Sequence, residues 1–253
     1  MSSLSITLQP ADFAGVTLVG GGPGAADLIT VAGLKALLAA EVVVTDRLAP
    51  RDLLRELEPS VELIDVAKVP RSRFTAQEDI NALLIDRARE GKRVVRLKGG
   101  DNYVFGRGFE EVLALQDAGI PVRVIPGLSS TIGVPALAGV PVTHRGVVHD
   151  FTVVSGHLRP GHPDSLVDWP ALGRLRGTIV LVMAVENAGA IAAALIDGGR
   201  SEDLPVAVIS DGSLPTERVV TTTLAKLGDV IGTESIRPPA VIVVGEVAAL
   251  GRA

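Results

Sequence analysis

The chain has 253 residues, 47% apolar and 3% aromatic, with 28 glycines and a formal net charge of −5. Its core must be built from Val, Leu, Ile and Ala, a composition that suits α/β layers with buried parallel strands. The mild acidity argues against a protein that grips nucleic acid through a global basic field, and the lack of cysteine excludes disulfides, thiolate metal sites and a cysteine nucleophile.

Residues 1–14 carry Pro10 and Asp12 and no basic n-region, so they read as a flexible N-terminal extension rather than a secretory signal. No apolar run reaches the length of a membrane span, and a cytoplasmic protein is expected. Residues 16–19 read as a first strand, followed by a helix over about 25–39 in which Leu28, Val31, Ala32, Lys35, Leu38 and Ala39 recur at helical spacing. The β-branched run 41–45 is a second strand and 61–66 a candidate third. Thr75 to Glu78 form a capping box for a helix that reaches about Arg89 and closes at Gly91. A fourth strand covers 93–98, a helix 109–118 ends at Gly119, and a fifth strand at 122–125 stops at Pro126-Gly127. Strands alternating with helices predict an N-terminal α/β domain, 15–127, with a doubly wound parallel sheet.

The pattern then changes. Residues 128–150 are rich in Ser, Gly and Pro, and strands follow at 151–156, 178–183, 205–210, 218–223 and 239–247, with a helix near 186–196. Their closer spacing predicts a mixed sheet in a C-terminal α/β domain, 128–253. The four histidines, at 144, 149, 157 and 162, show no H-x-x-x-H or H-E-x-x-H spacing, so no metal is expected.

Two glycine clusters follow strands. Gly20-x-Gly22-x-x-Ala25 fits the permissive dinucleotide fingerprint, with Asp46 after the second strand in place for a ribose. Pro23 removes one N–H from such a cradle. By pattern alone a dinucleotide and a structural tight turn are about equally supported. The second cluster, Gly99-Gly100-Asp101, also lies past a strand's carboxyl end, where open α/β sheets bind ligands. A carboxylate there suits ribose hydroxyls or an amine and would repel a pyrophosphate. Asp101 as a turn cap, and Glu111 as a favourable charge at a helix start, are the plainer alternatives.

Taken in order, "VGGGPGAADLIT", "VVVTDRL", "VVRLKGGDNYVFGRGFEE", "IPGLSSTIGVPALAGVPVTHR", "VSGH" and "PAVIVVGEV" resemble the motifs of the tetrapyrrole methylase family. The resemblance spans 16–247 and implies two α/β domains with the cofactor site between them, a homodimer, and S-adenosylmethionine as cofactor. Within the family it points to C-methylation of uroporphyrinogen III at C2 and C7, through precorrin-1 to precorrin-2. A methylase of a later (cobalt-)precorrin and an NAD(P)-dependent oxidoreductase are the alternatives. By motif match the cofactor site comprises Pro23, Gly99, Gly100, Asp101, Val104, Ser129, Ser130, Met183 and Gly212. The proton-handling pair falls on Asp46 and Lys68, with Arg107 in the catalytic set and also facing the substrate. Arg47, Glu110 and Arg145 are the other substrate-binding positions. The chain departs from the family pattern at Asn102-Tyr103, where Pro-Phe is usual, at Phe109, where a second Gly is usual, and at Val69-Pro70 after Lys68.

The chemistry agrees with these residue types. The cofactor is a sulfonium cation without phosphate, so a proline-containing loop can supply shape, while Asp101 and Ser129 suit hydroxyl and amine donors. Met183 could pack on an adenine or serve as ordinary strand core. A macrocycle with eight carboxylates calls for local arginines, which grip carboxylates bidentately. Asp46 or Glu110 could take the proton lost after methyl transfer.

Overall fold

The computed structural model describes residues 13–67 and 77–251, and the chain divides into two compact units, Met1–Ser129 and Ser130–Ala253. Lys68, Thr75 and residues 1–12 of the expected extension lie outside the described residues. Phe13, at the end of that extension, lies under the Arg123 guanidinium, 4.9 Å from its ring centroid.

The first unit contains β1 (Gly15–Gly20), α1 (Val31–Leu38), β2 (Val42–Thr45), β3 (Glu62–Asp65), α2 (Gln77–Arg89), β4 (Arg93–Lys98), α3 (Gly108–Asp117) and β5 (Val122–Ile125). Its five strands lie in the order β3-β2-β4-β1-β5, all parallel. Successive side chains point to opposite faces. Val16, Leu18, Val42, Val44 and Val94 therefore meet Ile80 and Leu84 of α2 and Val112 and Leu115 of α3 on one face. Val19, Val43, Val95 and Leu97 meet Ala36 and Leu37 of α1 on the other. Both faces are covered, which is why β2 reads as a continuous apolar run. Each fully buried leucine contributes about 1.5–3 kcal/mol by leaving water. The chain leaves β1 past β4 to reach β2, and leaves β4 past β1 to reach β5. The order thus reverses between β1 and β4, and the crevice at their carboxyl ends is where such sheets take ligands.

The second unit contains α4 (Ser130–Leu137), β6 (Phe151–Ser155), α5 (Trp169–Arg174), β7 (Thr178–Val182), α6 (Ala188–Asp197), β8 (Pro205–Ser210), β9 (Arg218–Thr223), α7 (Leu227–Thr233) and β10 (Ala240–Val244). The strand order is β6-β7-β10-β8-β9, with β6 and β7 parallel and the other neighbours antiparallel. The sheet is therefore mixed, as the strand spacing predicts. Ile179, Leu181, Val206, Val208 and Ile242 face Ile191 and Leu195 of α6, while Val180, Val182, Ala207, Ile209 and Val243 face the other side with Val134 of α4.

The helix expected over 25–39 is shorter than its apolar spacing suggests. A 3₁₀ turn (Ala26–Leu28) comes first, Ile29 and Thr30 are extended, and the Thr30 hydroxyl then caps α1 by accepting from Gly33 N–H at 3.0 Å. Three helices were not read from the sequence: α4, which contains Pro135, α5 and α7. Each has eight residues or fewer, too few for a helical period to stand out. The Asp168 carboxylate caps α5, accepting from Ala171 N–H at 2.9 Å.

Candidate active site

At the carboxyl ends of β1, β4 and β5 three glycine-bearing loops meet. Gly22 and Gly100, both at positive φ, exchange backbone hydrogen bonds of 3.1 and 2.6 Å, and Gly21 N–H donates to the Lys98 carbonyl at 2.7 Å. A Cβ on Gly127 would overlap the Gly100 carbonyl oxygen and the Gly20 backbone. Only glycine permits three chains to approach this closely. This bears on the chemistry of the first loop. A pyrophosphate cradle needs outward N–H groups. Those of Gly21 and Gly22 are already spent on β4 and its loop, Gly100 N–H is spent on Gly22, and Pro23 has none. Between Gly21 and Pro23 the loop therefore offers shape and carbonyl oxygens rather than donors, which counts against the dinucleotide alternative.

Asp101 organises the second cluster. Its carboxylate accepts from Tyr103 N–H at 2.8 Å and Val104 N–H at 3.3 Å through one oxygen, and from Gly127 N–H at 3.1 Å through the other. The turn-capping role is therefore present, and it ties the β4 loop to the β5 loop. Asn102 stands fully buried where proline is usual. Its side-chain amide donates to the Ile125 carbonyl at 2.8 Å, and its own carbonyl accepts from Gly108 N–H at 2.9 Å at the start of α3. Phe105 and Arg107 both hold left-handed backbone, with φ of 55° and 56°. Such strain in a side chain with Cβ persists where the surroundings impose it, and it gathers at functional sites. Tyr103 and Phe109 pack edge to face, with centroids 5.8 Å apart. Val104 is exposed.

The Arg107 guanidinium grips Glu110 bidentately, at 3.0 Å through Nε and 2.6 Å through a terminal nitrogen. Both side chains are exposed, and the pairing holds the Glu110 carboxyl below its usual range. An arriving substrate carboxylate must compete with Glu110 for Arg107. Arg47 is exposed one residue after Asp46.

Asp46 ends β2. One of its oxygens accepts from Leu48 N–H at 3.1 Å, and the other lies 3.4 Å from the Arg96 guanidinium. Behind it is a buried cluster that the sequence reading missed. Arg96 Nε and Lys98 Nζ both donate to one oxygen of Glu111 at 3.1 Å, and Gln77 reaches the same oxygen at 3.4 Å. Arg96 also donates to the carbonyls of Val44 and Leu97. The Glu111 side chain is wholly inaccessible, and its second oxygen has no hydrogen-bond partner among the described residues. Burial pushes the Lys98 ammonium below the usual lysine range, the Arg96 charge pushes the same way, and Glu111 opposes both. A usable signal was in the sequence. Arg96 and Lys98 are two residues apart on a central strand, so they share one face of a sheet covered on both sides, and such cations demand a buried carboxylate.

The remaining predicted positions lie in or next to the second unit. Ser129 closes the first unit and Ser130 opens α4. Met183 follows β7 at a left-handed φ of 54° and is about half exposed (48%), so it is not ordinary strand core. Gly212 follows β8, next to Asp211 at φ 51°. Arg145 is exposed in a turn between His144 and Val148, where its carbonyl bonds His149 Nε2 at 2.6 Å. The His144 ring accepts from Gly146 N–H at 3.2 Å and orders that turn. Among the described residues no group of three or more His, Asp or Glu is placed to hold a metal ion, and no helix is long and apolar enough to cross a membrane. S-adenosylmethionine, the cofactor implied by the motifs, fits what is present. Its ribose and amine are donors and its sulfonium is cationic, so carbonyls and a carboxylate suit these groups, while its own carboxylate and adenine nitrogens call for donors elsewhere in the site.

The chain is 46% identical to the uroporphyrinogen-III C-methyltransferase of Methanocaldococcus jannaschii over 92% of its own length and 96% of that protein. It is 45% identical to a siroheme synthase of Neisseria meningitidis over 93% of its length, but spans only 48% of that longer protein. Among solved structures, the uroporphyrin-III C-methyltransferase of Thermus thermophilus complexed with S-adenosylhomocysteine superposes with a TM-score of 0.79. That match has 38% identity and covers 93% of this chain and 99% of that one. Residues 15–228 match the model of the Tetrapyrrole (Corrin/Porphyrin) Methylases, and the chain belongs to that family.

Proposed function

We propose that the protein is a uroporphyrinogen-III C-methyltransferase, transferring methyl groups from S-adenosylmethionine to C2 and C7 of the macrocycle to give precorrin-2. The observation that carries the reading is the interlocked floor of Gly20–Gly22, Gly99–Asp101 and Gly127, in which the N–H groups of Gly21, Gly22, Gly100 and Gly127 donate within the floor or to the strand beneath it. Such a floor suits a phosphate-free, cationic cofactor, and the relatives at 46% and 38% identity carry this activity in their names. When bound, S-adenosylmethionine supplies an electrophilic methyl group.

The chain's own residues do the rest. In the first unit Pro23, Gly99, Gly100 and Asp101 form the wall against which the cofactor is held, with Val104 and Ser129; Ser130, Met183 and Gly212 are the second unit's cofactor positions by motif match. Most of the rate enhancement comes from holding the donor methyl and the pyrrole carbon in line at near-attack distance. Arg107, Arg47 and Arg145 take substrate carboxylates, and Glu110 holds Arg107 until one arrives. Asp46 accepts the proton that leaves the macrocycle after methyl transfer, and Lys68 is its partner in proton handling. The reading includes a cytoplasmic homodimer, which sedimentation of the purified protein checks for assembly.

The test is anaerobic incubation with uroporphyrinogen III and S-adenosylmethionine, read by mass. Two added methyl groups are expected, and no methylated macrocycle would overturn the reading. Calorimetric titration separates the oxidoreductase alternative: S-adenosylhomocysteine should bind and NAD(P) should not.

A further inference from the structure

We propose that Glu111 is a positioning residue of this site: its buried carboxylate holds Arg96 and Lys98 at the carboxyl end of β4 and, through Arg96, sets the charge balance felt by Asp46. The inference rests on the reading of Asp46 as proton acceptor. Four charged groups of alternating sign form one chain, Lys98 to Glu111 at 3.1 Å, Glu111 to Arg96 at 3.1 Å, and Arg96 to Asp46 at 3.4 Å. Three of them are buried, with side-chain exposures of 6%, 0% and 3%, and only Asp46, at 29%, reaches solvent. The chain of charges therefore surfaces at one point, the carboxylate assigned to proton transfer.

Stability alone does not call for this arrangement. Buried ion pairs are often matched or bettered by apolar residues of similar volume, and the neighbouring strand β2 fills its buried positions with Val42, Val43 and Val44. Arg96 is fixed at both ends. Glu111 takes its Nε, the carbonyls of Val44 and Leu97 take a terminal nitrogen, and the other terminal nitrogen faces Asp46. Without Glu111 the two cations of β4 would repel each other on one face. The unpartnered second oxygen of Glu111 is a cost retained inside this network. Among the described residues, the charged groups around Asp46 also include Arg47 beside it in the chain, and Asp65 at the end of β3, which is engaged by Arg51 at 2.9 Å; Lys68, its assigned partner, lies outside them.

The test follows the Asp46 carboxyl directly, by 13C NMR titration with the signal assigned through its loss in Asp46→Asn, alongside the pH profile of turnover. Glu111→Gln removes one negative charge and leaves the cations, so the ionised form of Asp46 gains. Its titration midpoint and the acid limb of kcat should both move down by at least about half a pH unit. KM for S-adenosylmethionine should stay within about twofold, because the network meets the glycine floor only through the Lys98 main chain, which Glu111→Gln leaves in place. The double variant Glu111→Gln/Lys98→Met restores the charge count and should bring the midpoint back toward that of the parent. An unchanged midpoint in folded Glu111→Gln overturns the proposal. So does a double variant further from the parent than the single one. If neither variant folds, Glu111 is a structural strut and the proposal also falls. Full turnover by Asp46→Asn would overturn the proton-acceptor reading alone, since the carboxyl titration still decides whether Glu111 sets the field there.

Discussion

Each unit of the molecule buries cationic side chains, and the two do it differently. In the first, Arg96 and Lys98 share the Glu111 carboxylate and the series continues to Asp46 near the surface. In the second, Arg200 turns to backbone carbonyls, those of Leu172 at 3.4 Å and Gly177 at 2.9 Å. Leu172 lies in the last turn of α5 and Gly177 just precedes β7, so Arg200 closes a helix end and fixes the chain entering a strand. Burial makes the Arg200 guanidinium easier to deprotonate, and the Asp150 charge opposes this. The difference teaches that burial alone does not mark a functional charge. A buried cation that ends on main-chain carbonyls holds the fold together. A series of side-chain charges leading to a half-open carboxylate has somewhere to transmit its field.

Removing a partner on each side breaks the comparison most directly. Glu111→Ala strands two buried cations and should lower unfolding free energy by about 3–5 kcal/mol in denaturant titration. Arg200→Met removes a charge together with its acceptors' donor, and the expected loss is smaller, about 1–3 kcal/mol. A loss from Arg200→Met equal to that of Glu111→Ala would erase the distinction. Lys98 sharpens it through pH. Its folded value lies below the ordinary 10.5, so between the two the unfolded chain binds more protons and stability rises with pH across that window. Lys98→Met should flatten this alkaline rise when unfolding is followed at several pH values. The smallest effect belongs to the exposed pair: Arg107→Ala should change stability by less than about 1 kcal/mol. Its turnover on the macrocycle should nevertheless fall, because the same guanidinium is proposed to meet substrate.

Strands β1, β2, β4 and β5 were legible because a parallel sheet covered on both faces writes continuous apolar runs, as in Val42, Val43 and Val44. The helix α4 was not legible, because Pro135 and small residues mask a single short element whose stability comes from packing Val134 on the sheet. At the site, the glycine clusters announced close backbone approach, but not which N–H groups were already engaged. That depends on pairing between loops nearly eighty residues apart, such as Gly22 with Gly100. Glu111 was read as a favourable charge at a helix start. Its role as a buried counter-ion follows from α3 packing over β4, a tertiary fact. Asp101 shows the reverse case, a residue whose turn-capping geometry is what joins the two loops of the site.

The reciprocal bonds between Gly22 and Gly100 also bear on selectivity among adenosine compounds. A nucleotide that shares the adenosine half of the proposed cofactor would bring its phosphates toward the amides of Gly21, Gly22 and Gly100, which already donate to carbonyls. On the proposed reading, discrimination against phosphorylated relatives comes in part from main-chain donors engaged as the chain folds, and the Asp101 carboxylate adds to it by repulsion.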